Sequence, residues 1–255
     1  MLKDALRPLL PSPMLRLWRR RAAARLDRRF ANWTPAEVFG AVYRERLWGS
    51  RPDFQFCSGN GSHERAIIEP YLASVRAFLS ELPRPLDAVD LGCGDFNVGA
   101  RLRDRCAAFV AADVVPELIT RNARAFAHLD VTFQCIDLVK DELPAGQVAF
   151  LRQVLQHLGN AQIAAVIAKL YRYEWLIVSE HVPETGRFIA NRDKPMGPGV
   201  RERFGSGVVL TAPPFNLHVL EQRELCTVPE KSGRVRTMAY RLHRFPCVRA
   251  EAKLA

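Results

Sequence analysis

Short apolar runs alternate with helical segments between residues 88 and 180, and this alternation constrains the fold more than any other feature of the chain. Turn residues flank these runs, which are rich in valine, isoleucine and phenylalanine, and this pattern predicts strands. The segments between them, NVGARLRDRCAA included, predict helices. Such alternation is typical of a parallel sheet covered by helices on both faces. The five predicted strands are AVDLG (88–92), FVAADV (109–114), VTFQCID (131–137), QVAFLR (147–152) and EWLIVSE (174–180).

The two ends of the chain differ from this repeating pattern. RELCTVPE and VRTMAYRLHR, joined by KSGR, predict an antiparallel β-hairpin. Thr34, Pro35 and Glu37 signal a helix start, and Ser62 is expected to cap a second helix that Pro83 ends. We therefore expect an α/β fold with a doubly wound, mostly parallel seven-stranded sheet, a C-terminal antiparallel β-hairpin and a helical N-terminal extension. The expected boundaries are a basic arm at 1–33, a helical segment at 34–82 and a domain at 83–248, within which 181–216 form a long loop.

Most of the positive charge is concentrated in the N-terminal arm. The formal net charge of the chain is +10, and residues 1–30 hold nine basic and two acidic side chains, so seven of those ten charges lie in the arm. A basic body would indicate a nucleic-acid binder, and the near-neutral remainder makes nucleic acid an unlikely partner. We favour a solvated or partly disordered arm, with an amphipathic helix on an anionic membrane surface as the alternative.

The cysteines and the hydropathy indicate the cellular compartment of the protein. The six cysteines form no CxxC pair and no Cys/His cluster with zinc spacing. Isolated cysteines are typical of reduced thiols in the cytosol. No apolar run approaches the roughly 20 residues that span a bilayer, and the start MLKDALRPLLPSP lacks the apolar segment of a signal peptide. We expect a cytoplasmic protein without a metal site; peripheral contact with a membrane through residues 1–30 is the alternative to a freely solvated arm.

An acidic, glycine-containing turn closes the first predicted strand. Its sequence is Asp90-Leu91-Gly92-Cys93-Gly94-Asp95-Phe96. In an open α/β sheet, ligands bind at the carboxyl ends of the strands, where glycines let the backbone pass close to the ligand. Asp113 ends the second strand, 19 residues after Gly94. This spacing is typical of a carboxylate that accepts hydrogen bonds from ribose hydroxyls.

The charge of this turn argues against a nicotinamide dinucleotide. Asn97 occupies the position where the dinucleotide fingerprint has its third glycine. Asp90 and Asp95 would repel a pyrophosphate, whereas they would attract a cationic group. The turn therefore indicates a positively charged nucleoside.

Four segments resemble the class I S-adenosylmethionine (SAM)-dependent methyltransferases. DLGCGDFNVG resembles motif I of this family, AADVVPELI resembles motif II, CIDLVKDELP resembles the motif that contacts adenine, and FLRQVLQHL resembles the segment that lines the methyl-transfer cleft. The resemblance covers about residues 58–245. It departs from the family pattern at Phe96, where many members have a glycine. It implies a Rossmann-like fold and SAM as the cofactor.

The resemblance also assigns cofactor contacts. It places Asp90 at the SAM amino group, Asp113 at the ribose and Asp137 at the adenine amino group. The alternatives are a helix cap for Asp90 and a surface loop acid for Asp137. Asp95 is either a cofactor contact or a plain N-cap. Arg152 is expected to close the cofactor site or to hold the acceptor. The expected cofactor-binding set is Asp90, Gly92, Gly94, Asp95, Asp113, Asp137 and Arg152.

Three residues are candidates for proton transfer. His157 follows the fourth predicted strand, and a histidine can remove a proton near neutral pH; local packing in a helix is its alternative role. Glu180 and His181 end the fifth strand and face the same cleft by topology. The arginines of the 181–216 loop are alternative contacts for a substrate anion, although solvated loop charges explain them equally well.

The expected reaction is direct transfer of the SAM methyl group to an oxygen or nitrogen atom of a small molecule or glycan. An RNA or protein methyltransferase and a non-catalytic SAM-binding protein are the alternatives, and a nicotinamide oxidoreductase is a weaker one. The long loop is expected to supply the substrate pocket.

Overall fold

The computed structural model describes residues 12–51, 56–184, 188–230 and 233–243 of the chain. These residues contain five α-helices: α1 (Ser12–Phe30), α2 (Pro35–Arg44), α3 (Arg65–Glu81), α4 (Pro116–Ala125) and α5 (Asn160–Leu170). They also contain seven strands: β1 (Ala88–Leu91), β2 (Phe109–Asp113), β3 (Thr132–Cys135), β4 (Val148–Arg152), β5 (Trp175–Pro183), β6 (Glu221–Glu230) and β7 (Gly233–Arg241). The predicted strands are therefore all present, with ends that shift by a few residues.

The seven strands form one sheet in the order β3-β2-β1-β4-β5-β7-β6. The first five are mutually parallel, whereas β7 is antiparallel to β5 and to β6. This confirms the predicted mostly parallel sheet and C-terminal hairpin. The strand order reverses at β1 and β4, and the carboxyl ends of these strands border the crevice where doubly wound sheets bind ligands.

Apolar side chains pack on both faces of the sheet. Every residue of β1 and β5 is buried, which explains why these strands read as continuous apolar runs. On one face α5 packs with the 208–217 segment, and on the other α3 packs with the segment that follows β1. The central strands are therefore rigid supports for whatever follows their carboxyl ends.

Helix α2 begins as its sequence predicts. The Thr34 hydroxyl accepts a hydrogen bond from the Glu37 backbone nitrogen (3.3 Å), and the Glu37 carboxylate accepts one from the Thr34 nitrogen (2.7 Å). This reciprocal capping box, with Pro35 at the first helical position, sets the start of the helix.

Residues 12–30 of the basic arm form α1, and the described side chains of residues 21–29 are exposed or half-buried, while residues 1–11 lie outside the described residues. Phe30 is 1% exposed and packs against α2. Arg203 donates two hydrogen bonds to Asp27 (2.8 and 2.9 Å), and Arg29 pairs with Glu45. The end of α1 is thus attached both to α2 and to the long loop. None of the described helices combines the length and apolarity that a membrane span requires.

Two predicted helices are wrong in part. The segment after β1 forms two short 3-10 turns, Gly99–Arg101 and Arg103–Arg105, instead of an α-helix. Helix α3 starts at Arg65, with Glu64 as its N-cap, so Ser62 does not cap it. Ser62 lies in a 3-10 turn, where its carbonyl accepts a hydrogen bond from the Asn97 side chain (2.6 Å). This contact links the loop before α3 to the segment after β1.

Candidate functional site

A cavity of about 470 Å³ lies at the carboxyl ends of β1, β2, β4 and β5. One end is lined by the acidic turn that follows β1 and by Asp113 and Asp137. The other end is lined by α2, by the turn after β4 and by the 198–202 segment. All seven predicted cofactor residues line this cavity, as do His157 and His181. The structure therefore brings together most of the predicted site.

Hydrogen bonds to β2 and α4 fix the shape of the turn after β1. The Asp113 carboxylate accepts hydrogen bonds from the backbone nitrogens of Gly94 (3.0 Å) and Val115 (3.1 Å). Gly92 and Gly94 have φ angles of 82° and 56°, in the left-handed region that glycine tolerates. A Cβ atom at Gly94 would also collide with the Ser58 hydroxyl. Both glycines are required by the backbone conformation.

Phe96 adopts the same left-handed region, with φ of 61°, although it carries a large side chain. Its ring is fully buried and makes edge-to-face contacts with Phe109, Phe126 and Phe133 at 5.6, 5.1 and 5.0 Å between centroids. The backbone geometry is thus one that glycine favours, while the ring contributes core packing that glycine cannot.

Asp95 joins the turn to the loop that precedes α3. Its Oδ2 accepts a hydrogen bond from the Ser58 nitrogen (2.8 Å) and lies 2.6 Å from His63 Nε2. The Ser58 hydroxyl in turn accepts a hydrogen bond from the Asp95 nitrogen (2.9 Å) and bonds to the Tyr43 hydroxyl (3.0 Å). This network, the Asp95 latch, holds residues 58–63 over Gly94. The sequence analysis did not predict this latch.

Without a bound cation, burial disfavours the ionised form of two of the acids. Burial raises the pKa of Asp90 to about 7, with the Asp113 charge adding to the shift and Arg152 opposing it. Burial also raises the pKa of Asp113 to about 6, against the effect of the Gly94 and Val115 N–H groups. A cationic ligand would stabilise both carboxylates.

Arg152 is half-buried, and its charge acts on Asp90. Its guanidinium carbon lies 4.9 Å from the centre of the Tyr71 ring, and its terminal nitrogens donate to the Gly61 carbonyl and, at 3.4 Å, to the Ser62 hydroxyl. Its Nε is buried and has no hydrogen-bond partner among the described residues. The cavity therefore offers a cation with spare hydrogen-bonding capacity next to a carboxylate.

His157 lies in an aromatic wall. Its ring is 4.9 Å from Trp48 and 6.2 Å from Phe39, measured between centroids. Burial, with a contribution from the Lys194 charge, lowers the pKa of His157 to about 3. The ring is therefore neutral and only a weak base near pH 7, and its role as catalytic base stays a prediction.

Of the other two proton-transfer candidates, His181 lines the cavity and Glu180 does not. The Glu180 carboxylate accepts hydrogen bonds from the backbone nitrogens of Leu155 (2.9 Å) and Gln156 (3.0 Å), and burial raises its pKa to about 8. Glu180 thus supports the turn after β4 and is not among the cavity-lining residues. His181 lines the cavity, although β5 extends through it to Pro183 and the long loop starts later than expected.

The His181 ring lies between two acceptors. Its Nε2 lies 3.2 Å from the Glu230 carbonyl oxygen. Its Nδ1 lies 3.7 Å from a Glu202 carboxylate oxygen. A ring nitrogen that bonds to either oxygen is the donor.

Arg201 and Arg203 of the long loop are not among the residues that line the cavity. Arg201 is fully buried and donates to the backbone carbonyls of Arg192 and Leu158 (2.6 Å for the latter), and Arg203 is paired with Asp27. Glu202, between them, lines the cavity, as do Trp48 and Glu230. Sequence reasoning missed these three because no local pattern distinguishes them from other loop or strand residues. Among the described residues, no group of three or more His, Cys, Asp or Glu side chains could hold a metal ion.

Comparisons with known proteins identify the architecture. Neither a protein-family model nor a curated protein sequence matches the chain. Solved structures do match. The N-methyltransferase NodS from Bradyrhizobium japonicum WM9, bound to S-adenosyl-L-homocysteine (SAH), superposes with a TM-score of 0.57 at 14% identity, over 79% of this chain and 98% of NodS.

Two further structures show the same similarity. The 1,6-didemethyltoxoflavin-N1-methyltransferase of Burkholderia thailandensis, bound to its substrate and SAH, gives a TM-score of 0.52 at 18% identity, over 81% of this chain and 86% of that one. The magnesium protoporphyrin IX methyltransferase of Synechocystis PCC 6803, also with SAH, gives 0.51 at 17% identity, over 84% and 99%. The chain therefore has the Rossmann-like fold of the class I SAM-dependent methyltransferases.

Proposed function

We propose that the protein is a SAM-dependent methyltransferase that acts on a small-molecule acceptor. The observation that carries this proposal is the charge of the cavity. Six carboxylates line it, at Asp90, Asp95, Asp113, Asp137, Glu202 and Glu230, whereas Arg152 is the one arginine or lysine among its described lining residues. Such a site favours a ligand with cationic groups over a dinucleotide with a pyrophosphate.

The residues present fit SAM. Asp90, buried and with a raised pKa, would gain from the ligand's ammonium group. The spare Nε–H of Arg152 would meet its carboxylate. Each Asp113 oxygen accepts one backbone N–H and retains lone-pair capacity for ribose hydroxyls. Asp137, at the far end of the cavity, would accept from the adenine amino group.

When bound, SAM supplies a methyl group on a positively charged sulfur, which a nucleophile can displace directly. The chain's own contribution is positional. The Asp95 latch and the Trp48–His157 wall enclose the reacting centre, exclude water and hold the acceptor in line. His181 lines the cavity and is the candidate residue for exchanging a proton with the acceptor.

The small-molecule assignment draws on the solved structures as well. Two of the similar enzymes are methyltransferases of 1,6-didemethyltoxoflavin and of magnesium protoporphyrin IX. A cavity enclosed by loops suits acceptors of this kind, including the terminal sugar of a glycan, better than a folded macromolecule. Transfer to RNA or protein and residence in the cytoplasm stay predictions.

Calorimetry tests the cofactor assignment. The purified protein should bind SAM and SAH and should not bind NADH at comparable concentrations. Asp113→Asn should weaken SAM binding by about tenfold or more, because it removes a charged acceptor of ribose hydrogen bonds. Asp87→Asn, at the opposite end of β1, is the matched control and should bind normally. Absence of heat with both SAM and SAH from folded protein would refute the proposal.

A second experiment addresses the acceptor. Incubation with methyl-labelled SAM and a fractionated extract should place the label in the small-molecule or glycan pool. Label in RNA or protein would instead support those acceptors, and SAM binding without any labelled product would indicate a non-catalytic SAM-binding protein.

A further inference from the structure

The turn after β4 is bonded to the segment formed by residues 194–199, which we call the strap. The His157 backbone carbonyl accepts hydrogen bonds from the Lys194 ammonium (3.1 Å) and from the Gly197 backbone nitrogen (3.0 Å). Lys194 is only 4% exposed, so this carbonyl also provides a partner for a buried ammonium group. The main chain of His157 is therefore a point at which the strap is attached to the sheet.

Both ring nitrogens of His157 have protein neighbours. Nδ1 is buried, and burial lowers the pKa of the ring to about 3, against the effect of the Gly197 and Gly199 backbone. Nε2 lies 3.4 Å from the side-chain nitrogen of Gln156. The Gln156 amide is itself held, because its oxygen accepts a hydrogen bond from the His181 backbone nitrogen (3.2 Å). An acceptor molecule would have to displace one of these groups before it could give a proton to the ring.

Trp48 reaches the same place from the segment after α2. Its ring centroid lies 4.9 Å from that of His157, and its Nε1 donates a hydrogen bond to the Pro198 carbonyl oxygen (3.2 Å). Trp48, His157 and Pro198 all line the cavity, at the end away from the cofactor turn, which we call the acceptor end. Three separate segments thus meet in one wall, and His157 contacts both of the others.

We propose, on the basis of the methyltransferase function above, that His157 is a positioning residue, which holds Trp48 and the strap as the wall that binds the acceptor and takes no proton from it. The His157 ring contributes packing, and its carbonyl contributes two hydrogen bonds. A closely packed wall loses its shape when the residue that its segments share is removed. A proton that the acceptor releases then passes to another group, and His181 lines the cavity as well.

A catalytic base and a positioning residue respond differently to replacement. If His157 were a base, its nitrogen would be essential, and alanine and phenylalanine would lower kcat alike. If His157 is a positioning residue, its ring contact with Trp48 is essential, so phenylalanine should replace it better than alanine. The backbone bonds from Lys194 and Gly197 can form in both variants, which isolates the contribution of the ring.

Hydrogen exchange tests the wall without any acceptor. In the purified protein, His157→Ala should speed amide exchange in residues 194–200 by about tenfold or more, and His157→Phe should recover most of the protection. His218→Ala, which replaces an exposed histidine outside the cavity lining, is the matched control and should exchange like the wild type. Equal exchange in the His157→Ala and wild-type proteins would overturn the proposal.

The kinetic test uses methyl-labelled SAM and a series of dilutions of the extract fraction that takes up the label. His157→Ala should need about tenfold more of this fraction for half-maximal transfer, while the maximal rate changes by less than about threefold. SAH affinity, the check on folding, should stay unchanged, and His157→Phe should recover most of the loss. A maximal rate about a hundredfold lower in both variants would identify His157 as a base and would overturn the proposal.

A double-mutant cycle asks whether His157 acts through Trp48. Trp48→Leu should raise the half-maximal amount in the same way, and the variant with both Trp48→Leu and His157→Ala should be little worse than either single variant. Fully additive effects would contradict a shared wall. Failure of the methyltransferase proposal is distinguished from these results, because it would abolish SAM and SAH binding and leave the difference in hydrogen exchange in place.

Discussion

Replacing Phe96 separates two opposing effects at the cofactor turn. The ring is fully buried among three aromatic partners, and removing such a side chain costs about 3–5 kcal/mol of folding free energy. The backbone, with φ of 61°, disfavours every side chain that has a Cβ atom. Phe96→Ala should therefore lose the packing and keep the strain, whereas Phe96→Gly should lose the packing and relieve the strain.

The predicted order of stability follows from this difference. Phe96→Gly should be more stable than Phe96→Ala by about 1 kcal/mol. Both should be less stable than the wild type by about 2–5 kcal/mol. Urea unfolding followed by circular dichroism measures both differences, and equal slopes of free energy against urea would show that the variants unfold from comparable states.

Phe109 provides the matched control. It is also buried, at 2% exposure, but it lies in β2 with ordinary strand geometry. There glycine should be less stable than alanine, by about 0.5–1 kcal/mol, because glycine loses more chain entropy on folding. If alanine were the more stable replacement at both positions, the left-handed conformation of Phe96 and the argument built on it would be refuted.

Three further predictions concern ligands and surfaces. SAM affinity should rise between about pH 5 and pH 7, because the pKa of Asp90 is raised to about 7 and the bound cation favours the ionised carboxylate. Asp90→Asn should make the affinity less dependent on pH in this range, and an unchanged pH dependence would contradict the contact between Asp90 and SAM. Arg152→Gln should weaken SAM by about tenfold or more but leave methylthioadenosine, which lacks the amino-acid portion, unchanged, and calorimetry with both ligands decides whether this contact exists. If the basic arm contacts anionic membranes, sedimentation with anionic vesicles should be lost at high salt and on replacing Arg16, Arg19 and Arg20 by glutamate; salt-independent binding would count against it.

The parts of the fold that local patterns determine were predictable. The buried parallel strands read as apolar runs, and the capping box of α2 is visible in Thr34 and Glu37 alone. The acidic turn and Asp113 were recognisable because their spacing along the chain reflects the geometry of adjacent strand ends. Elements determined by distant contacts were not predictable.

The segment after β1 is the main example of a distant contact. Its composition favours an α-helix, but it forms short 3-10 turns. Asn97 is bonded to Ser62 and a Cβ atom at Gly99 would meet the Phe96 ring, and neither contact is visible in the local sequence. The cavity lining also includes residues that the local sequence did not indicate. Trp48, Glu202 and Glu230 come from three separate segments, and each would pass as an ordinary surface residue in the sequence.

The attachment of α1 has a practical consequence for anyone who designs shortened versions of the protein. A boundary drawn by charge would cut after residue 30 or 33 and treat everything before it as a dispensable tag. Such a cut would remove Phe30 from its packing against α2. It would also remove Asp27 and Arg29, which pair with Arg203 and Glu45 next to two walls of the cavity. A loss of activity would then be attributed to the missing arm, although the truncation had also removed contacts that support the cavity walls. Truncations that end before Leu26 avoid this confusion.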